Sequence, residues 1–483
     1  MKRSFFGFTG LLMGMTLVPA HAKPAEHYQD LKYPPLNKIQ PPKPERYVLG
    51  NGVAVYLVPD HELPLITVSA LIRVGSRWEP LQKAGLADMV GTVMRTGGTT
   101  TRSGDKLDDE LDRLGATVET SIGEDSGGAF VSVLKEDADL GMEILADMLQ
   151  HPAFPQEKIE LAKIAQRDAI ARRNDMPGGI VFREFQRTLF GKDSPYAHQT
   201  EYATIDSIAR EDLVAFHREY FQPENVILGV WGDFGPEMKG RIEKLFGAWP
   251  KGGHVKPPVP EVDPECQKRA GLYQIDKTDV NQSWVVMGHV GGRRDNPDYY
   301  ALDLMDQVLG GGFASRLFSR VRSAQGLAYS VGSSWDAGWD RPGVFIASGH
   351  TKSETTTKIV TSITNEIGQL MESGVSEDEL HRVKDATMKG FAFEFDATGK
   401  IVRRLMRYDY YAYPSDFLER YQENIGKVTR EDIARVAKRY LKPEQFVIMV
   451  LGNKKDFDQP LSALGPVKDV DISIPKPVQR ADP

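Results

Sequence analysis

Residues 208–232, IAREDLVAFHREYFQPENVILGVWG, are repeated without a gap as residues 428–452, VTREDIARVAKRYLKPEQFVIMVLG. Arg210, Glu211, Asp212, Tyr220, Pro223, Glu224, Val230 and Gly232 return at one constant spacing as Arg430, Glu431, Asp432, Tyr440, Pro443, Glu444, Val450 and Gly452. Each copy reads as an amphipathic helix, a proline-bearing turn and an apolar strand ending at glycine. A chain of 483 residues is too long for one core, so an internal repeat predicts two homologous halves.

Proline-rich stretches mark the seams at 34–45, 257–264 and 472–483. The expected organisation is a signal peptide over 1–22, a Pro-rich arm over 23–45 and an N-terminal domain over 46–250. A linker over 251–267, a C-terminal domain over 268–456 and a tail over 457–483, loose from residue 472, complete it. The leader assignment rests on Lys2 and Arg3, a short apolar stretch from Phe5 to Val18, and the small-x-small site Ala20-His21-Ala22. It predicts export with cleavage before Lys23, and a periplasmic location.

Within the first half, residues 53–58 and 66–74 read as paired strands. Leu86, Met89, Val90, Val93 and Met94 have the spacing of a core-facing helix. Residues 107–114 read as a short helix, 117–122 with 128–134 as a hairpin, and 140–149 and 156–173 as helices. Strands that come as hairpins favour an α+β fold, each half a mostly antiparallel sheet packed with helices.

Composition narrows the function. Apolar residues make up 41% and no apolar run of spanning length interrupts the body, so an integral membrane protein is not expected. A net charge of −7 offers no footprint for nucleic acid. The single cysteine, Cys266, excludes a disulfide framework, a cysteine-based zinc site and an iron–sulfur cluster. Gly310-Gly311-Gly312 is not followed by the Lys-Ser/Thr of a nucleotide-binding loop.

The run Gly75-Ser76-Arg77-Trp78-Glu79-Pro80 followed by Lys83-Ala84-Gly85-Leu86-Ala87 resembles the opening of the pitrilysin (insulinase) metallopeptidases. The second half matches the same family in Leu309-Gly310-Gly311-Gly312-Phe313, Ser315-Arg316-Leu317-Phe318, Val321-Arg322 and Gly326-Leu327-Ala328-Tyr329-Ser330-Val331. The resemblance runs over roughly residues 45–455 and is nearest to the short members similar to the mitochondrial processing peptidase. It implies two homologous α+β halves per subunit, pairing of subunits around an extended peptide, and a zinc site on His-x-x-Glu-His with a later Glu.

Here that motif has lost its chemistry. The first His position is Asp88, the catalytic Glu position Gly91, the second His position Thr92, and the third ligand position Ala169. One carboxylate and one hydroxyl cannot replace the three protein donors of a catalytic zinc. None of the 10 histidines pairs with another at i, i+4, so no metal or other cofactor is expected in this chain. Gly91 would weaken a helix by about 1 kcal/mol relative to Ala, with no metal chemistry to justify it.

The resemblance also implies that Arg322 and Tyr329 bind substrate at the scissile bond of a partner, and that Gly310, Gly311 and Gly312 form a flexible loop of the peptide chamber. A helix carrying Leu317, Phe318 and Val321 inward and ending near Gly326, with a strand from Leu327, would let Arg322 and Tyr329 face one cavity. The expectation is a non-catalytic subunit whose homologous partner brings the zinc and whose substrate is a peptide. An inert peptide-binding or scaffold protein of the same fold is the alternative.

Overall fold

The computed structural model describes residues 42–253 and 257–475. The expected signal peptide, the arm up to residue 41 and the last residues of the tail lie outside them.

The first half runs β1 Glu45–Val48, β2 Ala54–Pro59, β3 Leu65–Ile72, α1 Leu86–Thr96, α2 Gly104–Leu114, β4 Thr117–Ile122 and β5 Gly127–Leu134. It continues through α3 Ala138–Gln150, α4 Gln156–Arg172, α5 Pro177–Phe190, α6 Tyr202–Ser207, α7 Arg210–Tyr220, β6 Val226–Gly232 and α8 Met238–Phe246. The second half opens with β7 Gly271–Asp276, β8 Gln282–Val290 and α9 Tyr299–Leu309. A π-helical segment, Leu317–Ala324, precedes β9 Ser330–Asp336 and β10 Val344–Lys352. Then come α10 Thr356–Ser373, α11 Glu377–Gly390, α12 Thr398–Tyr411, α13 Phe417–Lys427, α14 Arg430–Tyr440, β11 Val447–Gly452 and β12 Val467–Asp469.

The sheets repeat the sequence symmetry. Their strand orders are β1-β2-β6-β3-β5-β4 and β12-β7-β11-β8-β10-β9, so all strands correspond except β1 and β12, each at one edge. Each is mostly antiparallel, with β2 on β6 and β7 on β11 as parallel pairs. The fold class is therefore α+β with two homologous halves. Residues 53–58 and 66–74 do not pair directly, as the sequence pattern predicted. Strand β6, arriving 150 residues later in the chain, lies between them, parallel to β2 and antiparallel to β3. The hairpin of β4 and β5 forms as predicted, closing at Ile122 opposite Gly127.

The repeated residues have matching work. Asp212 accepts from the Ala209 N–H at 2.8 Å, and Asp432 from the Thr429 N–H at 3.0 Å, closing the first turns of α7 and α14. Arg210 donates to the Phe154 carbonyl at 2.9 Å, and Arg430 to the Val375 carbonyl at 2.8 Å, tying each helix to the loop before its neighbour. At Gly232, φ is 134° and a Cβ would lie 2.1 Å from the Leu65 carbonyl oxygen, so β6 can approach β3 there only as glycine.

Each half has its own core, but each sheet is closed by a helix of the other half. Strands β2 and β6 are buried along nearly their whole length, which needs cover on both faces. Helix α12 of the second half supplies one cover: Val402, Met406 and Tyr410 pack on Ala54, Tyr56, Val58 and Ile227. In return, α5 of the first half lays Ile180, Val181, Phe185 and Leu189 on Val286, Val447, Met449 and Leu451.

The chain beyond β11 packs on the fold over its described length. Strand β12 joins β7 in parallel, Asn174 donates to the Ile472 carbonyl at 2.6 Å, and Ile474 packs on the first core. These residues carry apolar side chains that the Pro-rich composition masked.

Helix exchange makes the halves unfold together. Phe185 is fully buried on the other half's sheet, so Phe185→Ala should cost about 3–5 kcal/mol. Calorimetry should show one thermal transition moving down; two separate transitions, with only one displaced, would contradict the exchange.

Candidate functional site

Helix α1 starts at Gly85, which takes a φ of 101°. Its first turn is held by Glu79, whose carboxylate accepts from the Gly85 N–H at 2.9 Å and the Ala87 N–H at 2.8 Å. His198 closes the arrangement with Nε2 3.0 Å from the same carboxylate, and both side chains are almost completely buried. The sequence offered Glu79 only as part of a motif and gave no sign of His198, which lies more than a hundred residues away in the loop before α6.

Asp88 and Ala169 come together across a cleft of about 290 Å³ between α1, α4 and α5, lined also by Gln166, Arg173, Arg183 and Gln199. Gln166 donates to Asp88 at 2.8 Å, and Arg173 pairs with Glu201 at 2.9 Å. Thr92 stands exposed one turn beyond Asp88 and offers only a hydroxyl. The donor set does not fit a zinc ion: one carboxylate, already hydrogen-bonded to an amide, faces an alanine. Among the described residues, no group of three or more His, Cys, Asp or Glu is placed to hold a metal. The cleft is lined instead by amides, and the Gln166 Oε1 and both polar atoms of the Gln199 amide are buried without a hydrogen-bond partner.

Gly91 has a structural reason that the sequence reading missed. A Cβ on it would sit 2.8 Å from the Ile122 nitrogen and 3.1 Å from the Ser121 Cα, because α1 lies directly on the backbone of β4. The Thr120 hydroxyl donates to the Gly91 carbonyl at 2.6 Å across this contact. The position now serves helix–strand packing. Arg95 donates to the Val118 carbonyl at 2.7 Å, fastening the same helix to the same strand, and to Asp108 of α2 at 2.6 Å.

In the second half, α9 ends in the glycine run. Gly310 and Gly311 both donate to the Asp306 carbonyl, at 2.8 and 3.0 Å. A Cβ on Gly310 would lie 2.0 Å from the Ser333 nitrogen, and one on Gly311 would lie 2.7 Å from the Gln307 Cα, whereas Gly312 has open space around it. Phe313, beside Gly312, is 81% exposed. Arg316 then anchors the π-helical segment: it is buried, pairs with Glu379 at 2.7 and 2.8 Å, and donates to the Gly374 carbonyl at 2.7 Å. The Arg316 guanidinium holds the Glu379 carboxyl down to about 2.

From that anchor, Leu317 and Val321 enter the core while Phe318 stays half-buried, edge-on to Phe313 with ring centroids 4.9 Å apart. The predicted inward position of Phe318 fails because the π-helical turn displaces it towards the surface. The Arg322 guanidinium lies 4.4 Å above the Phe318 ring. Strand β9 begins at Ser330, later than predicted, leaving Tyr329 on the approach to it. Tyr329 is 78% exposed, its ring edge-on to His350 at 5.9 Å. Neither the Arg322 guanidinium nor the Tyr329 hydroxyl has a hydrogen bond or ion pair among the described residues, and no hydrogen bond joins them.

Two family models match this chain in succession, the insulinase model (peptidase family M16) over residues 55–200 and the peptidase M16 inactive domain over 207–387. The chain belongs to the insulinase family. Among its relatives, an uncharacterized zinc protease of Bacillus subtilis, YmxG, is 25% identical over 74% of this chain and 86% of its own length. The zinc protease PqqE of Helicobacter pylori is also 25% identical, over 85% of this chain and 93% of its own. A solved peptidase M16 inactive domain from Pseudomonas fluorescens superposes with a TM-score of 0.76 at 22% identity, covering 85% of this chain and 98% of that one. The M16 domains share its fold.

In this insulinase-family chain, glycine at position 91 is required by packing, which reverses the usual helix preference. Gly91→Ala should lower the melting temperature, costing about 1–3 kcal/mol through displacement of α1 from β4. A rise of the kind expected from helix propensity alone would contradict the close contact.

Proposed function

We propose that this chain is the non-catalytic, substrate-binding subunit of an exported two-subunit peptidase of the insulinase family. In this reading it works in the periplasm beside a homologous partner that carries the zinc site, and it supplies Arg322 and Tyr329 in trans. The observation that carries the reading is an asymmetry. The four metal-linked positions hold Asp88, Gly91, Thr92 and Ala169, while the Arg322 guanidinium and the Tyr329 hydroxyl make no hydrogen bond or ion pair among the described residues.

Their chemistry suits the role. A guanidinium stacked on Phe318 is pre-oriented and can donate to the carbonyls of an extended peptide. An exposed phenol can donate to an oxyanion as it develops on a neighbouring carbonyl. The Arg316–Glu379 pair beneath them fixes the segment from which Arg322 projects. A peptide laid in extended form would gain affinity from backbone hydrogen bonds rather than from one dominant side-chain pocket.

The test is a reconstituted complex with a homologous chain that has an intact His-x-x-Glu-His motif. Arg322→Ala and Tyr329→Phe should each lower kcat about 100- to 1,000-fold while leaving assembly and melting temperature unchanged. Cleavage at the wild-type rate by both variants within the complex would refute supply in trans and favour an inert peptide-binding or scaffold role.

A further inference from the structure

Besides the cleft around Asp88, the second half has a cavity of its own. Gln166, Ala169 and Ile170 of α4, with Arg173 just beyond its end, line that first-half cleft; the second-half residues are Thr387, Gly390, Phe391 and Glu394. Those four line a cavity of about 510 Å³ between α9, α11, α12 and α13. Five cationic side chains reach it, from Arg294, Lys400, Arg403, Arg404 and Arg407, against the single lining carboxylate of Glu394.

The imbalance is not resolved within the chain. Glu394 is taken up by Arg404 at 2.8 Å, and Lys400 turns to Asp396 at 2.8 Å. Arg294 donates to the Tyr299 hydroxyl at 2.9 Å and lies 4.3 Å over the Trp339 ring, but its Nε is buried without a hydrogen-bond partner. Arg403 and Arg407 make no ion pair among the described residues. The nearby Asp303 is deeply buried and hydrogen-bonded to Tyr421, and desolvation shifts it towards its neutral form.

Guanidinium groups held together against aromatic walls repel one another unless an anion sits between them. Their planar donor forks match a carboxylate in two-point contact. Helix α12 presents them rigidly, because its opposite face is the one packed on the other half's sheet.

We propose that this cavity binds a carboxylate group of a bound peptide, either an acidic side chain or the C-terminal carboxylate. The identity of the ligand as a peptide rests on the reading of the chain as a peptide-binding subunit; the preference for a carboxylate rests on the cavity alone. It makes the second half a carboxylate reader.

Fluorescence anisotropy of rhodamine-labelled extended peptides of equal length tests it on the full chain. One peptide carries Glu with an amidated C-terminus, a second carries Gln with a free C-terminus, and a third, neutral, carries Gln with an amide. At least one of the first two should bind about tenfold or more tighter than the third, the preferred one identifying the carboxylate's source. Arg407→Gln, at an exposed position without an ion pair, and Arg294→Gln should each abolish most of that difference. Lys106→Gln, which removes one charge from exposed α2, should preserve it. Equal binding of all three peptides, or an equal loss with Lys106→Gln, would overturn the cavity proposal and leave peptide binding standing. If no peptide binds, the proposal falls together with the peptide-binding reading on which it rests.

Discussion

The exchange of α5 and α12 between the halves is the constraint on which the rest of the structure depends. Each central sheet has one face closed by helices of its own half and the other by a helix from the opposite half. Neither half can therefore bury its β-strands alone. Polar contacts then fix the relative position of the two. Arg77, with its side chain 1% exposed, pairs with Asp340 at 2.8 and 3.1 Å and stacks 4.2 Å over Trp78. Arg46 and Tyr56 of the first half meet Asp409 of α12 at 2.8 and 3.2 Å. A buried ion pair of this kind contributes little net stability, but leaving one partner alone is costly, so it opposes sliding of one half on the other.

Helix α1 is held in place without any contribution from a metal. Helix α1 is located by Glu79 and His198 at its start, by the contact of Gly91 with β4 in its middle and by Arg95 near its end. None of these depends on a metal. The same geometry leaves no room for a larger residue at position 91, where a side chain would meet the β4 backbone. The second-half motif shows the converse economy: Arg316 and Gly310 are consumed by the fold, while Arg322 and Tyr329 are not.

Much of the architecture was legible in the amino-acid order. The repeat around Arg210 and Arg430 identified two homologous halves, and the apolar spacing of Leu86 to Met94 located α1, all of whose five marked residues are buried. Strand neighbours were not legible, because alternation reports which faces are buried and not which strand arrives to cover an edge. Thus β2 and β3 were read as partners when β6 separates them. The helix exchange was hidden for the same reason, since the apolar stripe of α5 has no mark that distinguishes its own sheet from the other half's. At the site, the structure brings Asp88 and Ala169, which the sequence singled out only through the family resemblance, to one cleft, whereas His198 had no local pattern to reveal it. The role of Gly91 needed the position of β4, a contact between residues thirty apart in sequence. The basic cavity of the second half escaped notice because Arg294, Lys400 and Arg407 are spread over a hundred residues and converge only when α12 crosses to the other half.

The central claim is that the chain has no metal-dependent active site of its own. It is tested most directly by the zinc content of the purified chain after equilibration with zinc and removal of the excess, measured by elemental analysis alongside a peptide-cleavage assay. The account predicts far less than one zinc per chain and no cleavage that a chelator abolishes. One tightly held zinc per chain, with chelator-sensitive cleavage that survives removal of every partner, would contradict it.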